Sequence, residues 1–343
     1  MKKIILLSEL FVPPYDEGMK VTALNLLKGI RHHADCVGLG PCEDENSLIK
    51  KVSINKFLYS RNLYNAIRIQ RPDFVYYIPK ASATFNSFIR FRILSFVLKK
   101  TDIAMIALQN RNYSILIQKF IRMINPGTLF VTSNYMSNQF KRVNIETQLL
   151  PMGVDTKKFI PVSIEKKHEL RDKYNIPHDK YIVLHVGHLK ESRNIRVFLS
   201  LAKQPWIKAV IIGSTSTFQE EALKKELRQS GIIIIDKYVS ENQEIYQLSD
   251  CYIFPVLERS GAMEFPLSIL EAMACNLPII TTPFGSLPEY FRSSDDFHYF
   301  ATIENLKTKL LNVRNVISKT REKGIKFSWE NVAEQLLRMS GIM

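Results

Sequence analysis

LERSGAMEFPLSILEAMACNLPIITTPFGSLPE, residues 257–289, parses into loop, helix, strand and loop. Glu258, Arg259, Ser260 and Gly261 are the polar residues of a flexible loop. Pro266 suits the first helical position, where its missing N–H costs nothing and its φ is already set. Leu267, Leu270, Met273 and Ala274 then recur at three- and four-residue spacing and make one apolar face. Asn276 suits a left-handed cap, followed by Pro278 and the β-branched run Ile279–Thr282. A helix opening behind a loop points unpaired N–H groups and a positive dipole end forward, an arrangement that suits a phosphate. Glu271 is the one carboxylate on this apolar helix, and by itself it reads as a solvated surface residue.

Upstream, Tyr181–Gly187 (YIVLHVG) reads as a strand running into His188-Leu189-Lys190-Glu191-Ser192-Arg193-Asn194 and a helix to Lys203. Ala209–Gly213, Ile232–Asp236 and Cys251–Phe254 continue the strands, with Ile245–Leu248 helical between the last two. At the other end of the chain, Lys2–Leu7 is an apolar run without alternation, as for a parallel strand covered on both faces. A long loop to Gly18 and a helix from Met19 to Arg31 follow. The loop lacks GxGxxG, which disfavours a dehydrogenase. Phe74–Ile78, Ile103–Leu108 and Thr128–Val131 are further strands of a doubly wound α/β sheet. Between the first two lies the basic, phenylalanine-rich Phe85–Lys100. It has two readings, an amphipathic helix lying on a membrane and a crossover helix packing Phe and Ile on the sheet; the second is preferred. Ser328 suits a cap for a final helix over Trp329–Met339.

At 343 residues, with 46% hydrophobic and 23% charged residues, the chain can build two ordinary domains. Cys36, Cys42, Cys251 and Cys275 form no CxxC pair, which fits a reduced cytoplasm and no cysteine metal site. The opening apolar run is too short for a signal segment, and no run approaches a membrane span. The net charge of +14 is lopsided: residues 1–150 hold 21 Lys and Arg against 10 Asp and Glu, the remainder 26 against 23. A basic first half beside a near-neutral second half implies a polyanionic partner. With no helix-turn-helix, RNP-like or zinc pattern, nucleic acid is disfavoured, and an anionic membrane surface or lipid-linked acceptor is expected.

Glu271-Ala272-Met273-Ala274, then Leu277-Pro278, a strand, and Gly285-Ser286-Leu287-Pro288-Glu289 resemble the nucleotide-sugar motif of GT-B glycosyltransferases of the retaining family 4 type. The resemblance implies two Rossmann-like doubly wound domains facing across a cleft. Residues 1–150 would bind acceptor and residues 151–326 the nucleotide-sugar, with a C-terminal helix at about 327–343 packing back on the first domain. Leu150-Pro151-Met152-Gly153-Val154-Asp155 resembles the family element that opens the second domain. The family places two cations where this chain has His188 and Arg193; both would grip the donor diphosphate, with Lys190 able to compensate for the weaker histidine. Glu271 would accept the ribose hydroxyls. Gly18, Gly187, Phe265, Pro266 and Leu267 complete the implied donor contacts. The first family glutamate falls on Met263, and Glu264, one place later, is the nearest carboxylate that could serve catalysis. Gln109 stands where the family has a sugar-contacting histidine.

The implied reaction is hexosyl transfer with retention, from a nucleotide-diphosphate-sugar to a lipid-linked or surface glycan. It would need no metal, since no Asp-x-Asp is present and the resemblance implies none, and no cofactor, the nucleotide-sugar being a substrate. The departures at Met263, His188 and Gln109 keep open a second reading, a catalytically weakened binding or scaffold subunit. A GT-B epimerase or phosphorylase would need acid/base residues that the chain does not offer.

Overall fold

A computed structural model describes residues 2–44, 47–58, 60–98, 101–125, 127–213, 219–259 and 262–343. Ser260 and Gly261 of the polar loop, and Lys99 and Lys100 after the basic helix, lie outside the described residues. The chain divides into two units: Met1–Gly153 with Met263–Phe265 and Trp329–Met343, and Val154–Ala262 with Pro266–Ser328.

The first unit holds strands β1 (Lys3–Ser8), β2 (Asp35–Gly40), β3 (Ile49–Lys51), β4 (Phe74–Ile78), β5 (Asp102–Ala107), β6 (Thr128–Val131) and β7 (Thr147–Leu149). They form one sheet in the order β3-β2-β1-β4-β5-β6-β7, parallel at every pairing. Helices α1 (Gly18–Arg31), α2 (Arg61–Gln70), α3 (Phe85–Val97), α4 (Ile115–Ile124) and α5 (Asn134–Lys141) connect them. The sheet is covered on both faces, so β1 and β4 read as continuous apolar runs whose interior residues are buried. Phe88, Phe91 and Leu94 of α3 sit in the core beside Val75 and Met105. The crossover reading of this basic helix is therefore the observed one.

The second unit holds α6 (Ile164–Lys173), β8 (Tyr181–Val186), α7 (Val197–Ala202), β9 (Ile207–Ile212), α8 (Glu221–Gln229), β10 (Ile233–Ile235), α9 (Gln243–Gln247), β11 (Cys251–Phe254), α10 (Leu267–Ala274), β12 (Ile279–Thr281), α11 (Leu287–Tyr290), β13 (Phe297–Tyr299), α12 (Ile303–Val313) and α13 (Thr320–Gly324). Its six parallel strands run β10-β9-β8-β11-β12-β13. In both units the first strand sits centrally and the order reverses beside it, between β1 and β4 and between β8 and β11. Ligands of such sheets bind at the carboxyl ends of strands flanking the reversal.

The last helix, α14 (Trp329–Met339), belongs to the first unit and packs against α1. Their approach is set by Gly29, where a Cβ would stand 2.5 Å from the Trp329 carbonyl oxygen and 3.0 Å from the Ala333 Cβ. Tyr76 anchors the end of the same segment by donating to the Ser340 hydroxyl at 2.6 Å. In a free helix, Gly→Ala gains about 1 kcal/mol. Here the added methyl meets backbone, which cannot swing away, so overpacking prevails. Gly29→Ala is expected to lose about 1–3 kcal/mol in urea unfolding, whereas a gain in stability would show that α14 is not held against α1.

Candidate nucleotide-sugar site

The first piece of the site is the turn after β8. Gly187 follows the strand, and a Cβ there would lie 2.9 Å from Nε2 of His185. His185 is fully buried beneath the turn, with its Nδ1 3.0 Å from the Ile253 carbonyl. Burial is the main cause that pushes its pKa down to about 3, so the ring is neutral and Nδ1–H donates. The sequence reading missed His185; its only signal was a lone polar residue inside an apolar strand.

Glu191–Arg193 forms a 3-10 turn closed by Asn194 in the left-handed region at φ 54°, a conformation asparagine tolerates. The Asn194 amide donates to the Pro255 carbonyl at 3.0 Å, tying this turn to the loop after β11. Arg193 is thereby held indoors, 9% exposed. Its guanidinium donates to Nδ1 of His188 at 3.4 Å, which makes that histidine nitrogen an acceptor and leaves Nε2 to carry the proton. Among the described residues Arg193 has no carboxylate partner. Burial pushes its pKa down to about 10, with Tyr252 opposing. Glu191, two residues before it, is engaged with Arg196. A buried guanidinium without a counter-charge is costly, and it marks where an anion from outside would be most stabilised.

The second piece is the loop after β11 and helix α10. The helix starts at Leu267, with Pro266 as its extended N-cap at φ −69° and ψ 124° and with no side chain capping the first turn. The expectation that Pro266 is the first helical residue is corrected by one place: its ψ is extended, so the chain turns helical only after it. Tyr252 of β11, buried and also missed by the sequence reading, hydrogen-bonds Ser268 in the first turn of α10. The same hydroxyl reaches the Val186 carbonyl at 3.4 Å. It thus joins the end of β8 to the start of α10, and Arg193 and the open N–H groups of that helix share one end of the sheet.

Glu271, in the second turn of α10, accepts a 2.6 Å hydrogen bond from the buried Tyr246 hydroxyl. Burial raises its pKa, while Tyr246 and then Lys158 oppose the rise. Glu271 is partly buried and held by a tyrosine, not the solvated surface residue that its isolated reading suggested. Because the folded state binds this proton more tightly than the unfolded chain, stability falls as pH rises through the window just above the ordinary 4.5. At neutral pH the ionised carboxylate is then a net cost. Glu271→Gln, whose amide oxygen still accepts from Tyr246, is expected to keep or raise the urea midpoint at pH 7. It should also flatten the pH dependence just above 4.5. A lower midpoint at pH 7 would show that the charge stabilises the fold.

Gly187, His188, Lys190 and Arg193 thus come from the turn after β8, and Pro266, Leu267 and Glu271 from the start of α10, all in the second unit. The remaining candidates do not belong to that unit. Glu264 and Phe265 are fully buried and group with the first unit. Gly18 also lies there, opening α1 with its carbonyl accepting from Thr22 Oγ1 at 2.8 Å. Gln109 follows β5, its backbone bonded to Ser82 Oγ at 2.9 Å.

Residues 166–314, most of the second unit, match the family described as glycosyl transferases group 1. The second unit thus resembles a group 1 glycosyl transferase domain. Spore coat protein SA of Bacillus subtilis is 26% identical over 234 residues, 59% of this chain and 60% of that protein. Alpha-galactosylglucosyldiacylglycerol synthase of Streptococcus pneumoniae is 25% identical over 208 residues, 55% of this chain and 52% of that protein. The chain thus matches only about half of the length of such relatives. The crystal structure of Anabaena Alr3699/HepE in complex with UDP-glucose superposes with a TM-score of 0.76 at 14% identity, covering all of both chains. That likeness establishes the fold, GT-B with two Rossmann-like domains.

Proposed function

We propose that the chain is a metal-independent, retaining hexosyltransferase that moves a sugar from a nucleotide-diphosphate-sugar to a lipid-linked or cell-surface glycan. Arg193 carries this reading, as a buried guanidinium at the carboxyl end of β8 with no carboxylate partner among the described residues. A diphosphate supplies the missing charge. In the reaction the bond from the anomeric carbon to the diphosphate oxygen breaks and a bond to the acceptor oxygen forms. The acceptor proton passes to the departing phosphate. Negative charge grows on that phosphate, so fixed donors around it lower the barrier.

Arg193 donates to the phosphate oxygens in fork geometry, with Lys190 and the Nε2–H of His188 beside it and the open end of α10 completing the cradle. Glu271 accepts the ribose hydroxyls, Gly187 lets the phosphates approach closely, and Glu264 serves the sugar in place of the family glutamate that falls on Met263. The nucleotide-sugar named with Alr3699/HepE and the glycolipid in the name of the pneumococcal synthase support the donor and acceptor classes. A cytoplasmic location against the membrane follows from that acceptor.

A thermal-shift panel of UDP-, GDP- and ADP-sugars, followed by measurement of nucleotide release with and without EDTA, tests the proposal. A shift with one base and EDTA-resistant release supports it. Binding without release with any acceptor extract favours the scaffold reading. No shift with any donor overturns both.

A further inference from the structure

We propose that the outward face of α3 and α4 docks the first unit on an anionic lipid bilayer, with α4 as the inserting element. Helix α4 is apolar on two sides. Ile117, Ile121 and Ile124 turn inward onto the core, yet Ile115, Leu116, Phe120 and Met123 on the other side are 73%, 69%, 52% and 69% exposed. An amphipathic helix needs only the first stripe to pack on a sheet. The second stripe is bare apolar surface, and it continues sideways. The Phe120 ring meets the Phe85 ring of α3 edge-on at 6.4 Å. The outer side of α3 then adds a shallow groove lined by Phe57, Arg92, Ile93, Phe96 and Val97. A contiguous exposed patch of this kind marks an interaction surface.

The charge around the patch selects the partner. Residues 80–123 hold eight Lys and Arg against one acid, Asp102. Arg92, Lys119 and Arg122 are exposed and have no carboxylate partner among the described residues. Lys119 stands amid the apolar stripe, where its aliphatic stem can lie along Ile115 and Met123 while the ammonium reaches a headgroup. Side chains that enter the acyl boundary, ringed by cations that meet anionic headgroups, are what an interfacial helix presents. A second copy of this face would bring Lys119, Arg122 and Arg92 against their own counterparts with no acid to relieve them. A nucleic acid would leave the aliphatic stripe wet. No helix among the described residues is long and apolar enough to cross a membrane, so the chain would lie on the surface through this face. The proposal does not depend on the sugar-transfer reading.

Co-sedimentation with vesicles of phosphatidylcholine alone, or with about a third phosphatidylglycerol, tests it. Wild type is expected to pellet only with the anionic vesicles and to be released as salt rises. Leu116→Ser with Phe120→Ser should weaken partitioning about tenfold or more. Lys119→Gln with Arg122→Gln should cost about fivefold per charge and flatten the salt response. All four side chains are exposed, so unchanged thermal unfolding checks that each variant is folded. Wild type remaining in the supernatant, or folded variants pelleting like wild type, would overturn the proposal. So would concentration-dependent dimerisation abolished by the Leu116 and Phe120 changes, which would make the face a protein interface.

Discussion

Arg193→Ala is expected to lower sugar transfer by a factor of about 10²–10³ and to abolish the thermal shift given by nucleotide-sugar, while the ligand-free protein melts no lower than wild type. The two halves of this result have one cause. Arg193 is buried with its pKa pushed down to about 10 and meets no carboxylate among the described residues. Its charge is therefore carried at a cost in the empty protein and is offset only when a diphosphate arrives. A guanidinium kept for the fold would behave oppositely, because removing it would orphan a partner and lower the melting temperature. Arg193→Lys keeps the charge without the fork and should recover only part of the rate. Wild-type transfer by the alanine variant would remove the arginine from the donor site, and a large fall in its melting temperature would make it structural.

The second large effect is on stability, at the opposite end of the same sheet. Asp250, just ahead of β11, takes Arg171 on one oxygen at 2.7 Å and Lys167 on the other at 2.5 Å. It also accepts the Ile182 N–H at 2.7 Å, so it ties α6 and β8 to the start of β11. Arg171 is 4% exposed and also caps the carbonyls of Leu248, His178 and Lys180. Asp250→Ala leaves that guanidinium buried without a counter-charge, which costs about 3–5 kcal/mol. For a unit of this size the thermal transition should fall by roughly 6–20 °C. Asp250→Asn, which still accepts from Ile182, should lose less. A loss below about 1 kcal/mol would show that Arg171 is satisfied by the three carbonyls and that the ion pair contributes little.

Arg193 and Arg171 also show how far the chain could be read before it was folded. Phe74–Ile78, Thr128–Val131 and Cys251–Phe254 are found as strands with the expected bounds, because a strand covered on both faces must be apolar throughout. Asn276 takes the expected left-handed conformation at φ 63°. The loop from His188 to Arg193 was recognisable only through its resemblance to the family pattern behind a strand. Its wiring was not: Asn194 to Pro255, Tyr252 to Ser268 and Tyr246 to Glu271 each join residues at least sixteen positions apart. No local pattern encodes such a pairing.

Helix α4 went unread for a related reason. Gln118, Lys119 and Arg122 of ILIQKFIRMI share a polar face at three- and four-residue spacing, but nothing along the chain says that Ile115, Leu116, Phe120 and Met123 stay exposed beside it. The residue sequence alone determined the alternation of strands and helices, the basic bias of the first half, and the motif that places a helix start behind a loop. These depend on neighbours along the chain and on hydrophobic period. Only the tertiary structure decided that Arg193 is buried without a carboxylate while Arg171 is buried with one, and that one side of α4 meets the core while the other stays bare. Burial and counter-charge are properties of what folds against a residue, and the chain brings those groups from far along its length.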